Sequence, residues 1–127
     1  MDLADDLKYT TKHEWVKSEG KRIKVGITDY AQKELGDIVF VDLPAVWEQV
    51  TAENVMATIE SVNAMSEILA PVSGEIVEVN EKLEDSPELV NQDPYQRGWL
   101  VIMEPSHPQE LKSLLSASEY EALLKKV

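Results

Sequence analysis

Ile23, Val25 and Ile27 alternate with Arg22, Lys24 and Gly26, the two-residue period of a half-buried strand. Trp15-Val16 reads as a shorter strand before it. The polar turn Ser18-Glu19-Gly20-Lys21 joins the two into a hairpin. Thr28-Asp29 can cap a short helix over Tyr30 to Leu35, and Gly36 stands where a C-terminal glycine ends one. Asp37 to Leu43 is rich in Val, Ile and Phe and predicts a strand that Pro44 stops. Val50 to Ile59 is mixed, with a strand expected from Val55 to Val62, a turn at Asn63-Ala64 and a returning strand over Met65 to Leu69. Ala70-Pro71 breaks that strand, and Ser73-Gly74 turns the chain into another over Glu75 to Val79. Asp85 to Val90 predicts a capped single turn of helix with Pro87 at its first position, followed by a loop at Asn91 to Pro94. Trp99 to Met103 predicts the last strand. The tail predicts helix, with Leu111, Leu114 and Leu115 on one face and Tyr120, Leu123 and Leu124 on another. Ser116 to Glu119 and Ser118 to Glu121 both fit a capping box.

One stretch recurs. Gly36-Asp37-Ile38-Val39-Phe40-Val41-Asp42 matches Gly74-Glu75-Ile76-Val77-Glu78-Val79-Asn80 in its Gly, Ile, Val and Val, with an acid after each glycine. Strands draw on few residue types, so a short match also arises by chance. The other reading is a quasi-twofold sandwich whose halves each contribute a similar strand.

The length of 127 residues suits one domain spanning 1–127, long enough to bury a core without staples. With no cysteine, disulfides and thiol chemistry are excluded. The net charge of -12 repels phosphate backbones and anionic membranes, favours solubility, and steers the chain toward basic surfaces. No apolar run approaches the length of a membrane span. Met1 to Asp6 is acidic, without the apolar core of a secretory signal or the arginines of a transit peptide. A cytoplasmic protein is expected, or one of the mitochondrial matrix if the chain is eukaryotic and processed.

No catalytic set stands up. Ser18 and Lys21 have Ser-x-x-Lys spacing but occupy a hairpin turn, and Ser73 lacks the first glycine of a nucleophile elbow. His13 and His107, the only histidines, have no second ligand at helical spacing, so no metal site is expected. What remains is the hairpin around Asn63. A swinging-arm carrier needs an attachment residue at the tip of a tight turn, stiff strands to hold it, and small neighbours that admit a modifying ligase. Val62 and Ala64 flank position 63, and strand-like runs lie on both sides. The attachment amine is missing, because asparagine offers a carboxamide. Asparagine also tolerates positive φ and is favoured in tight turns, so the turn alone accounts for its presence.

With these residues in view, the chain resembles the H proteins of the glycine cleavage system over nearly its whole length, from about Leu7 to Leu124. The resemblance rests on His13-Glu14-Trp15-Val16, Val25-Gly26-Ile27-Thr28-Asp29-Tyr30-Ala31-Gln32 and Leu35-Gly36-Asp37-Ile38-Val39-Phe40-Val41-Asp42-Leu43-Pro44. It continues through Glu60-Ser61-Val62, Ala70-Pro71-Val72-Ser73-Gly74-Glu75, Asp85-Ser86-Pro87-Glu88-Leu89-Val90-Asn91 and Gly98-Trp99. It implies a mainly β, lipoyl-domain-like fold (a barrel-sandwich hybrid) of two antiparallel sheets with short helices and a C-terminal helix. Members of the family are carriers and not enzymes. Their lipoyl-lysine takes an aminomethyl group from glycine decarboxylase, presents it to aminomethyltransferase and is reoxidised by dihydrolipoamide dehydrogenase, after a lipoate ligase has attached the arm. The loaded arm tucks into a cleft on the carrier, and Glu14 is a candidate for lining it.

Two places depart from the family pattern. Asn63 stands at the lipoyl-attachment position, so the chain is expected to carry no lipoate. Trp47 and Glu53-Asn54-Val55 stand in a loop that usually carries glycines, and their loss is expected to change the turn or to bury or expose Trp47. Lys33 and Lys82 lie outside the hairpin and cannot substitute. The expected function is therefore that of an H protein disabled at position 63, or of a non-lipoylated binding or regulatory protein on the same scaffold. Biotinyl carriers fit less well, since they also need the hairpin lysine.

Overall fold

The computed structural model describes residues 6–126; the first five residues, which make up most of the acidic leader stretch, and Val127 lie outside them. The chain forms β1 (Lys8–Tyr9), β2 (Glu14–Glu19), β3 (Arg22–Ile27), α1 (Asp29–Leu35), β4 (Ile38–Asp42) and β5 (Gln49–Val50). There follow β6 (Val55–Ser61), β7 (Met65–Leu69), β8 (Gly74–Val79), α2 (Lys82–Asp85), α3 (Leu89–Gln92) and β9 (Val101–Pro105). A 3₁₀ segment (Pro108–Ser113) and α4 (Ala117–Leu124) close the chain. Strands run β1-β2-β3-β9-β8-β5 in one sheet and β4-β6-β7 in the other. Every pairing is antiparallel. The expected mainly β fold of two antiparallel sheets with short helices is the one observed.

Period-two patterning sets this arrangement. Ile23, Val25 and Ile27 point inward from β3 and meet Ile59 of β6 and Ile76 of β8 in the main core. Gly26 also faces an apolar neighbour, because β2 and β3 register Trp15 against it. A Cβ at Gly26 would stand 2.6 Å from the Trp15 indole, whose Nε1 donates to the Pro94 carbonyl at 2.9 Å. Trp15 is thus fixed from both sides. Gly26→Ala is expected to cost about 2 kcal/mol by overpacking, read as a lower urea midpoint at unchanged slope.

The repeated stretch occupies equivalent places. Its first copy becomes β4 in one sheet and its second becomes β8 in the other. Both carry a register shift at the matching step, between Ile38 and Phe40 and between Ile76 and Glu78. A shared irregularity at the same offset favours the quasi-twofold reading over chance.

α1 follows the sequence. Thr28 Oγ1 accepts from the Ala31 amide at 3.2 Å, and Gly36 ends the helix at φ 86°. The tail does not. Leu114 and Leu115 leave the helical pattern because Leu115 bridges to Tyr9, its amide donating to the Tyr9 carbonyl at 2.7 Å. Helix resumes only after Ser116, whose capping box with Glu119 is formed. Ser118 lies inside α4 and caps nothing. Around Pro87 the expected capped turn is displaced: Ser86 closes α2, and α3 begins at Leu89 without a side-chain cap. The two-residue strands β1 and β5 are too short to show a period.

Tyr9, Trp15, Leu7 and Tyr120 form a second core under α4. The Tyr9 and Tyr120 rings stack at 4.7 Å and 5°. The Tyr120 hydroxyl lies 2.7 Å from Thr28 Oγ1 and 2.8 Å from His13 Nδ1. His13 is therefore a structural member of this junction. Tyr120→Phe keeps the stack but removes a hydrogen-bond partner from both Thr28 and His13, and is expected to lower stability by about 1–2 kcal/mol, measured as a drop in Tm.

Candidate functional site

β6 and β7 form the hairpin whose tip is Val62-Asn63-Ala64, with Glu60 registered against Met65 at its base. Ser61 builds the turn. Its amide donates to the Ala64 carbonyl at 2.7 Å, and its Oγ accepts from the amides of Asn63 at 3.2 Å and Ala64 at 3.0 Å. The Val62 amide donates to the Asp37 carbonyl at 2.9 Å, which ties the tip to the chain entering β4. Asn63 is exposed. All the polar contacts that shape the tip come from Ser61 and the backbone.

The φ tolerance of asparagine is not used here. Among the described residues the non-glycine positions with positive φ are His13, Trp47 and Glu53, and position 63 is not one of them. The turn therefore does not select asparagine over lysine. The carboxamide leans toward the end of α1, where a Cβ at Gly36 would lie 2.8 Å from Asn63 Nδ2.

Trp47 and Glu53, at positions where the resemblance implies glycine, both adopt left-handed backbone, at φ 76° and 71°. Each side chain held in this region costs about 1–2 kcal/mol. Trp47 is 66% exposed, so the loss exposes the indole.

Glu14 opens β2 and is 2% exposed. Thr10 Oγ1 donates to its Oε1 at 2.7 Å, and the Leu69 amide reaches its Oε2 at 3.4 Å. Burial pushes the carboxyl up to about 7, against the smaller opposing effects of these hydrogen bonds. It lines a cleft of about 300 Å³ together with Thr10, Lys12, Glu53, Leu69 and Leu114. A second hollow of about 270 Å³ lies between α1 and β7, lined by Lys12, His13, Ala31, Leu35 and Ser66. Lys12 borders both. Asn63 lies in the turn just before β7 and the Leu69 contact of Glu14 ends that strand, about 13 Å along it from Met65; Ser66 and Ile68, between them, line the second hollow. The sequence reading missed Lys12, Thr10 and Leu69, which carry no local motif and converge only through the fold.

Among the described residues no group of three His, Asp or Glu side chains can hold a metal ion. No described helix is long and apolar enough to cross a membrane.

A β-hairpin that carries an exposed tip on a two-sheet sandwich is the architecture of a lipoyl-domain-like carrier module. The family model described as "Glycine cleavage H-protein" matches residues 7–127. The chain is 52% identical over 124 residues to the glycine cleavage system H protein of Oceanobacillus iheyensis, covering 98% of each. It is 49% identical over 125 residues to that of Bacillus licheniformis, again covering 98% of each. The crystal structure of the H protein from Mycobacterium marinum superposes with a TM-score of 0.89 at 40% identity, over 97% of this chain and 99% of that one. The chain belongs to the glycine cleavage H-protein family, whose members are a carrier component of a multienzyme system and not its catalytic subunits.

Proposed function

We propose that this chain is an H protein whose carrier role is blocked at position 63. The supporting observation is the complete hairpin with a carboxamide at its tip. Family members carry lipoate on a lysine amine at this position, and the residues here do not fit that group. Amide formation needs an amine nucleophile, and Asn63 has none. Lys33 is tied to Asp29 at 3.0 Å on α1, and Lys82 opens α2, so neither belongs to the hairpin. No step through lipoate is available to this chain as it stands.

Glu14 is assigned to the cleft as its acid–base group. With its carboxyl near 7 it exchanges a proton close to neutrality and can accept a hydrogen bond from an amine. The partners implied are glycine decarboxylase, aminomethyltransferase, dihydrolipoamide dehydrogenase and a lipoate ligase, met in the cytoplasm, or in the mitochondrial matrix for a processed eukaryotic chain. No nucleic acid or membrane partner is assigned. We read residues 1–127 as one such domain.

A second reading, a non-lipoylated binding or regulatory protein, is favoured by the intact tip. On that reading the hairpin would still meet partners without carrying a tether. Intact-mass measurement after co-expression with a lipoate ligase tests the first reading: the unaltered chain is expected to stay unmodified, and a lipoyl adduct on it would refute the block.

A further inference from the structure

The outer face of the six-stranded sheet carries a feature that the carrier reading does not use. Lys24, Ile102 and Glu78 stand in one row across β3, β9 and β8, alternating with Val25 and Val101 of the main core. At this row lies a hollow of about 770 Å³, whose lining includes Lys24, Lys82, Arg97, Trp99, Val46 and Val77. Asn80 holds one wall in place: it is buried, and its Nδ2 donates to the Arg97 and Trp99 carbonyls, each at 2.8 Å. Lys24 Nζ stands 5.3 Å from the centre of the Trp99 ring, a cation over an aromatic face.

Trp47 projects beside this hollow. Its amide donates to the Ile76 carbonyl at 2.6 Å, and the Ile76 amide donates to the Glu48 carbonyl at 2.9 Å. The chain neighbours Val46 and Val77 therefore line the hollow, while the indole is 66% exposed beside it. The backbone holds this large ring in the left-handed region, at φ 76°, a strained conformation that clusters at functional sites. Exposed Val46 widens the apolar centre. Around it the charges balance, with Lys24, Lys82 and Arg97 against Glu48, Glu78 and Glu81. The chain as a whole has 24 acids against 12 Lys and Arg, so two copies meet with least repulsion at a balanced patch. A strongly acidic or basic partner finds no net charge here to steer it. A projecting ring and a hollow on one face fit a second copy, because the twofold rotation that seats one ring seats the other as well.

We propose that this face pairs two copies of the chain about a twofold axis, with the Trp47 indole of each seated in the hollow of the other against Trp99. A buried indole is the kind of anchor that dominates an interface. Lys24 and Arg97 of the receiving copy offer cations to its ring. One such anchor per copy, set against the cost of association, gives a weak, micromolar dimer. The β6–β7 hairpin belongs to the other sheet, so pairing leaves both tips uncovered. The inference rests neither on position 63 nor on the carrier reading.

Analytical ultracentrifugation of the full-length chain, from micromolar to near-millimolar concentration, is the test. The parent is expected to pass from 14.3 kDa toward twice that mass. Trp47→Gly relieves the left-handed strain, so it is expected to fold at least as well, yet to dimerise about ten-fold more weakly or worse. Lys82→Glu with Arg97→Glu, and separately Glu78→Lys with Glu81→Lys, are each expected to weaken self-association about ten-fold. Mixed together, these two charge variants are expected to form a heterodimer at least as tight as the parent pair. Phe40→Ala with Met65→Ala alters exposed residues of the other sheet and is expected to leave dimerisation unchanged. Circular dichroism confirms that each variant is folded. A parent that stays monomeric throughout would overturn the proposal. So would full dimerisation of Trp47→Gly, or a dimer that Phe40→Ala with Met65→Ala abolishes. Capture of a monomeric parent by immobilised aminomethyltransferase, lost in Trp47→Gly, would overturn it in favour of a different protein at the same face.

Discussion

Asn63→Lys, co-expressed with a lipoate ligase, is expected to gain one lipoyl group, whereas the parent chain keeps its unmodified mass. The contrast is all-or-none because it depends on whether an amine exists at the tip. The structure gives reason to expect that the lysine is presented well. Ser61 Oγ and the Ser61 and Val62 amides hold the turn without help from the side chain at 63. Position 63 also lacks the positive φ that would penalise lysine. A lysine chain leaving this exposed site extends past Gly36 into solvent. Glycine decarboxylation assayed with both proteins extends the test, with activity expected only for the lysine variant. An unmodified Asn63→Lys protein that is folded would show that the tip is not the attachment site.

Glu14→Gln is expected to stabilise the protein above neutral pH by about 3 kcal/mol. The sign follows from burial. The carboxyl ionises near its ordinary 4.5 when unfolded but only at about 7 when folded. Between those values the folded chain binds more protons than the unfolded one. Stability is therefore full below the unfolded value, falls as pH rises toward 7, and levels off above it. Glutamine removes the buried charge and with it the fall. Urea denaturation of both proteins at pH 4 and pH 8.5 should show similar stability at the lower pH and a clear gain for the variant at the higher. A parent curve that is flat across this range would refute the shifted carboxyl. A buried carboxylate that weakens the fold at physiological pH and lines a cleft marks Glu14 as a functional candidate.

The elements with clear patterning were legible in the sequence. The alternation of Ile23, Val25 and Ile27, the Thr28 cap and the Gly36 stop each act within a few residues, so local sequence carries them. The hairpin around Asn63 was legible for the same reason. The tail was not, because pairing with Tyr9, more than a hundred residues away, pulls Leu115 out of a pattern that reads as helix. Glu14 could be singled out by resemblance, but its burial and proton affinity come from Thr10, Leu69 and the packing around them. The left-handed backbone at Trp47 and Glu53 was not anticipated from their side chains, and the exposure of Trp47 was one of the outcomes left open.

The Ser61 brace has a consequence for how such a chain persists. Because the turn closes on a hydroxyl and the main chain, exchanging the residue at its summit is expected to leave the fold intact. A chain that folds in this way would pass cellular quality control. If the proposed block at position 63 holds, a well-folded population without the cofactor would then accumulate beside any working copy.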